Sequence, residues 1–90
     1  MKTVKVLIMG NVQGIFFRKY IDDEAKKIGI KGFVRNLDDG SVEVVIEGEN
    51  KKVDDMVKVC KIGPTYAKIR EVKVQDMPHQ GFDSFKVLNL

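Results

Sequence analysis

Residues 10–18, Gly10-Asn11-Val12-Gln13-Gly14-Ile15-Phe16-Phe17-Arg18, separate two apolar patterns of different period. Before them Val4, Val6 and Ile8 alternate with Lys5, Leu7 and Met9, the two-residue repeat of a strand over residues 3–9. After them Phe17, Ile21, Ala25 and Ile28 recur at helical spacing, predicting a helix over residues 16–28 that ends at the C-cap residue Gly29. The chain therefore turns from strand to helix within this stretch. Both faces of the strand carry apolar side chains, so it belongs inside a sheet rather than at its edge.

Such a junction can hold an anion. The first N–H groups of a helix have no carbonyl partner within it, and the aligned peptide dipoles place the equivalent of about half a positive charge at that end. Gly10 and Gly14 bracket the turn without a Cβ to obstruct positive φ or a close ligand, and Arg18 falls in the first helical turn. Its guanidinium fork suits an oxyanion. On this logic alone a purely structural turn fits equally well.

Downstream, the pattern gives a strand over 32–37, a hairpin turn at Asp38-Asp39-Gly40 and a strand over 41–47, in which Val42, Val44 and Ile46 alternate with Glu43 and Glu47. One face of that strand is expected to be buried and the other wet. Asn50 is the expected N-cap of a second helix, whose stripe is Val53, Met56, Val57 and Cys60. Gly63-Pro64 stops it. Extended structure resumes over 67–74, with an apolar phase shift between Ile69 and Val72 that suggests a bulge or an edge. Phe82, Phe85, Val87 and Leu88 suggest a short last strand.

This order is the split βαβ arrangement. The expected fold is a ferredoxin-like βαββαβ sandwich of the α/β (α+β) class: a mainly antiparallel four-stranded sheet plus a short terminal strand, with two helices on one face. Ninety residues form a single domain, 1–90, with one core. The composition, 43% hydrophobic and 32% charged, is that of a soluble globule, and a net charge of +3 favours anionic ligands only modestly. No apolar run has the length of a membrane span and no signal-peptide layout is present, so a cytoplasmic protein is expected.

The residues that usually carry chemistry are scarce. Cys60 is the only cysteine, which excludes an intrachain disulfide and a thiolate zinc site, and on its apolar stripe it is expected to be buried and inert. The only histidine, His79, lies among loop signals and is expected to be solvated. The charged face of the first helix, with Asp22, Asp23, Lys26 and Lys27, and the lysines of the second, Lys51, Lys52, Lys58 and Lys61, are expected to be solvated as well. Asn36, at a strand end before the hairpin turn, can orient a water through its amide but cannot take its proton; equally, it can simply support the turn.

Two motifs in order alter that balance. Gly10, Val12, Gln13, Gly14, Phe17 and Arg18 form GxVQGxxFR, and Gly32 through Asn36 with Gly40, Val42 and Gly48 form GFVRNxxxGxVxxxxxG. Together with Gly63, Pro64 and Ala67, they closely resemble the acylphosphatase family over essentially the entire chain. The resemblance implies a ferredoxin-like enzyme that hydrolyses the carboxyl–phosphate bond of acyl phosphates to a carboxylate and inorganic phosphate, with no cofactor and no metal. It implies that Arg18 binds the phosphate, that Asn36 positions the attacking water, and that the backbone of Gly14, Ile15, Phe16, Phe17 and Arg18 cradles the phosphoryl oxygens. Ile15, where Val is common, and Phe33, where Trp is frequent, are mild departures that keep apolar bulk. The partners implied are small molecules, with no nucleic acid and no membrane, and a monomer is expected.

Two other readings are compatible with parts of the pattern. A binding module would keep the anion pocket without useful turnover, for instance a domain like the acylphosphatase-like part of larger carbamoyl-transferring enzymes, though an isolated chain of this length argues against that instance. An RNA-recognition domain has the same element order, and Lys31-Gly32-Phe33 superficially resembles its RNP1 motif. Val34 and Arg35 then depart from the motif, and no aromatic pair completes a stacking platform.

Overall fold

The computed structural model describes residues 1–88. Along the chain lie β1 (Lys2–Asn11), α1 (Ile15–Ile28), β2 (Lys31–Asn36), β3 (Val42–Gly48), α2 (Asn50–Ile62), β4 (Lys68–Asp76) and β5 (Phe85–Leu88). The strands form one sheet in the order β4-β1-β3-β2-β5, antiparallel at three pairings and parallel between β2 and β5. The terminal strand is thus the fifth member of the sheet, added at its edge. β1 is an inner strand, as its two apolar faces require.

The alternating residues of β1 and β3 meet in register, Val4 with Ile46, Val6 with Val44 and Ile8 with Val42. These six, with Val34 from β2, join Phe17, Ile21 and Ala25 of α1 and Val53, Met56 and Cys60 of α2 in one buried cluster. Both helical stripes therefore lie on the same core. Gly29 ends α1 in the left-handed conformation, φ 88° and ψ 34°, its N–H donating to the Ala25 carbonyl. Gly63 ends α2 before Pro64.

Two local expectations are altered and a third is met. Asn50 is the first residue of α2 rather than its N-cap; Glu49 takes the cap position, and no side chain caps it. The phase shift in β4 has both suggested causes, since β4 is an edge strand and its register with β1 jumps from Met9 opposite Glu71 to Gly10 opposite Ile69. The supposed wet face of β3 is covered: Val42 through Glu47 are all buried, Glu43 at 9% and Glu47 at 2% exposure. Arg35 Nε donates to Glu43 Oε1 at 2.8 Å, and residues 80–82 fold over Glu47. Phe33, opposite Val45, does have an aromatic neighbour, Phe82, at 5.9 Å and edge-on, while the Arg35 guanidinium lies 5.8 Å from its ring centre. Those groups pack on one another instead of forming a flat stacking surface.

The strand directions give the molecule two poles. β1 and β2 end, α1 begins, α2 ends, β4 begins and β5 ends at one of them, which gathers residues 12–18, Asn36 and Leu88. At the other lie Glu47, residues 77–82 and the start of α2.

Candidate active site

Gly14 is the N-cap of α1, with φ 120° and ψ 166°, and has no side chain with which to cap. The first turn carries no acidic residue. The N–H groups of Ile15, Phe16 and Phe17 precede the first intrahelical bond, which runs from the Arg18 N–H to the Gly14 carbonyl at 3.5 Å. They form a positive helix end to which the described residues bring no carboxylate cap.

The two glycines of this turn serve different needs. A Cβ on Gly10, φ 144°, would collide with the Lys68 carbonyl across the bulge, so this glycine permits strand packing. A Cβ on Gly14 would meet nothing within 4 Å; there the positive φ itself demands glycine, and the space before the helix end stays open.

Arg18 is 8% exposed, unusual burial for a guanidinium. Its Nη1 donates to the Leu88 carbonyl at 3.1 Å and its Nε makes a longer contact, 3.5 Å, with the Gly14 carbonyl. The fork is therefore oriented by main chain from both ends of the fold's sequence. Arg18 lines a depression of about 310 Å³ with Ile15, Lys19, Asp22 and Val87. A wider groove of about 360 Å³, between Phe16, Lys19, Tyr20, Asp23 and Tyr66, does not include Arg18.

The five substrate-binding candidates separate by side chain. Phe17 is 2% exposed and belongs to the core, so only its N–H can face a ligand, whereas Ile15 and Phe16 are 67% and 71% exposed beside the turn. Asp22 is half-buried rather than solvated: it lines the Arg18 depression, pairs with Lys26 at 3.0 Å through Oδ2, and its Oδ1 is buried with no hydrogen-bond partner among the described residues. The period-3.6 pattern gave no sign of this, because Asp22 merely borders the stripe.

Asn36 ends β2, opposite Val42. Its neighbour Arg35 pairs with Leu88, so Asn36 lies one residue from the strand position that orients Arg18. The hairpin is held by other groups: Ser41 donates its N–H and hydroxyl to Asp39 Oδ1 at 2.9 and 2.5 Å, and the Leu37 N–H donates to the Ser41 carbonyl at 2.8 Å. Asn36 Oδ1 is buried and has no partner among the described residues. Gln13, whose role sequence reasoning left unassigned, donates through Nε2 to the Leu37 and Ser41 carbonyls at 2.8 and 3.2 Å, strapping the turn before α1 to the hairpin. Only its place in the first motif hinted at this.

At the far pole the His79 side chain is 64% exposed, yet its Nδ1 lies 3.3 Å from Glu47 Oε2. Burial pushes Glu47 upward, but hydrogen bonds from Thr3 and from the N–H groups of Gln80, Phe82 and Gly81 overcome it and lower its pKa to about 2. Burial pushes the Cys60 thiol up to about 12, consistent with an inert core residue. Among the described residues no three His, Cys, Asp or Glu side chains are grouped to hold a metal ion, and no helix is long and apolar enough to cross a membrane.

The fold and this pole define a class: a ferredoxin-like α+β domain whose first helix begins uncapped beside a buried arginine. Comparison with known proteins narrows it. The family profile described as acylphosphatase matches residues 4–87. An acylphosphatase of Rubrobacter xylanophilus is 45% identical over 80 residues, covering 89% of this chain and 73% of its own. Another, of Methanothrix thermoacetophila, is 39% identical with 94% of each chain covered. The crystal structure of acylphosphatase from Bacillus subtilis superposes with a TM-score of 0.93 at 30% identity, covering 99% of this chain and all of the other. The chain belongs to the acylphosphatase family, the enzymes that hydrolyse acyl phosphates.

Proposed function

We propose that the N–H groups at the start of α1, contributed by Ile15, Phe16 and Phe17 next to Gly14, hold the phosphoryl oxygens of an acyl phosphate. Arg18 closes on the same group, and Asn36 places the attacking water. The observation that carries this reading is a buried arginine fixed by the Gly14 and Leu88 carbonyls at a helix end that no side chain caps. Two positive features converge there on one small volume.

The chemistry asks little more of the protein. Water oxygen bonds to phosphorus as the phosphorus–oxygen bond to the acyl group breaks, and the acyl oxygen leaves as a carboxylate. Since its conjugate acid has a pKa of about 4, by analogy with side-chain carboxyls, departure needs no general acid. What remains is positioning and charge stabilisation. The water's proton passes to a phosphoryl oxygen of the substrate, because an amide cannot accept it. Asn36 Oδ1, without a partner among the described residues, supports the water-placing role, since a hairpin already tied by Gln13, Asp39 and Ser41 does not need this side chain. A monomeric cytoplasmic enzyme working without metal belongs to the same reading.

Hydrolysis of benzoyl phosphate in EDTA, followed by ultraviolet absorbance, tests it. Wild type is expected to turn over, and folded Asn36→Ala to lose turnover while keeping inorganic phosphate binding. Loss of phosphate affinity as well would assign Asn36 to holding the turn. An inactive wild type that still binds phosphate would make the chain a binding module. For the proton, Asp22→Asn is expected to keep wild-type turnover; lost turnover with phosphate binding kept would transfer that role to Asp22.

A further inference from the structure

The far pole holds a buried carboxylate that the reaction above does not use. Glu47 is 2% exposed, and a buried charge is costly unless its lone pairs are satisfied. Here they are: Oε2 accepts the Thr3 hydroxyl at 2.6 Å and the Gln80 N–H at 2.7 Å, and Oε1 accepts the N–H groups of Gly81 and Phe82 at 2.9 and 3.0 Å. Three of these four donors are successive main-chain amides, so the carboxylate fixes backbone, the segment that enters β5.

β5 then crosses the sheet edge to the opposite pole. The Gly32 N–H donates to the Ser84 carbonyl at 3.0 Å, Phe85 is buried, and the strand pairs with β2 as far as Leu88 opposite Arg35. Its last carbonyl is the one that accepts Arg18 Nη1. β5 has a strand neighbour on one side only, and beyond Phe85 its side chains are exposed or half-buried. Its pairing with β2 and the buried Phe85 hold it along the edge, and residues 80–82 fix the end from which it enters.

We infer that Glu47 is a positioning residue for Arg18: by pinning residues 80–82 at one end of β5 it sets the place of the Leu88 carbonyl that orients the guanidinium at the other. The inference rests on the proposed role of Arg18 in holding the phosphoryl group. Phe85 to Leu88 spans about 10 Å of extended chain, stiff enough to pass on a shift. A misplacement of about 1 Å in a binding constellation costs as much as 100-fold in rate.

The test measures inorganic phosphate binding by calorimetry, and kcat and KM for benzoyl phosphate, in wild type, Glu47→Gln, Thr3→Val, Arg18→Ala and Val53→Ala, each checked for folding. Glu47→Gln is expected to weaken phosphate binding and raise KM about tenfold. In the Arg18→Ala background, where phosphate binding is already lost, the same substitution should lower the residual kcat/KM no further. Thr3→Val, which removes one of the four hydrogen bonds, should shift both quantities the same way by a smaller factor. Val53→Ala truncates a buried residue of α2, destabilises the fold, and should leave phosphate affinity unchanged.

Folded Glu47→Gln that binds phosphate like wild type overturns the inference, and so does Val53→Ala losing affinity in proportion to its drop in Tm. If Glu47→Gln does not fold, Thr3→Val decides: weakened phosphate binding supports the coupling and unchanged binding overturns it. Wild-type phosphate affinity in Arg18→Ala would overturn the reading of Arg18 itself and this inference with it, a result distinct from the other two.

Discussion

The two poles of this protein solve the same problem in opposite ways. Each presents main-chain N–H groups that require an acceptor. At the far pole the chain supplies one in the Glu47 carboxylate, enclosed by Thr3 and residues 80–82. At the near pole the first turn of α1 carries no acidic residue, its cap is a glycine, and the group placed beside it is a buried cation, Arg18. A donor set closed on its own carboxylate contributes to the stability of the fold. One left to an outside anion, as proposed for the near pole, contributes to binding instead, and the two cannot be had from the same donors.

The largest expected effect breaks the near side of that contrast. Arg18→Ala should abolish measurable phosphate binding and lower kcat/KM by about 1,000-fold, the scale seen when a preorganised charge-stabilising group is removed. Arg18→Lys should recover little, because a point charge does not replace a planar fork. Steady-state kinetics with benzoyl phosphate reads both, and near-normal activity in the lysine variant would refute the bidentate role.

The next effect belongs to the far side and is one of stability. The pKa of Glu47 lies at about 2 in the folded protein against an ordinary value of 4.5. A carboxylate lowered by folding stabilises fully above its unfolded value and loses that contribution as pH falls through the folded one. Urea unfolding of wild type should therefore show stability declining from about pH 4.5 towards pH 2. Glu47→Gln should be less stable at pH 7 by about 1–3 kcal/mol, the cost of a poorly matched buried donor set, and flatter over the acid range. Equal acid dependence in both proteins would show that other carboxylates govern it.

Gly14→Ala sharpens the contrast by strain alone. With nothing within 4 Å of the added Cβ, the expected loss of about 1–3 kcal/mol comes from the backbone conformation, φ 120°, rather than from collision. Phosphate affinity should fall with it, since relaxing that φ re-aims the N–H groups behind it. Thermal unfolding and phosphate titration together check this; lost stability with unchanged affinity would detach Gly14 from the binding turn.

Much of this was legible in the sequence because it is local or periodic. The strand-to-helix turn, both helix stripes, the glycine stops and the burial of Cys60 follow from spacing, and the two motifs singled out Arg18 and Asn36, which the fold brings to one pole. What stayed hidden was set by segments distant in the chain. Glu43 and Glu47 alternate like a wet strand face, and only Arg35 and the loop at 80–82 cover them. Asp22 looked solvated because the depression it lines with Arg18 is completed by Val87 of β5, more than sixty residues later. Leu88 reads only as the end of a short last strand, yet it is its carbonyl that accepts Arg18.

The smallest effect concerns Gln13, which joins the turn before α1 to the hairpin that carries Asn36. Its Nε2 contacts the Leu37 and Ser41 carbonyls, but each also accepts a main-chain N–H, from Gly40 at 3.2 Å and from Leu37 at 2.8 Å. Gln13→Ala therefore leaves neither carbonyl without a donor, and its stability cost should be about 0.5–1.5 kcal/mol, that of ordinary hydrogen bonding. Kinetics should be more sensitive than Tm, because the strap fixes the distance between the groups proposed to hold phosphate and to place water. A severalfold fall in kcat with little change in phosphate affinity is expected. If kcat is unchanged, the sheet alone aligns the two motifs. If phosphate affinity falls instead, the strap shapes the helix end itself, and the near pole is less preorganised than the far one.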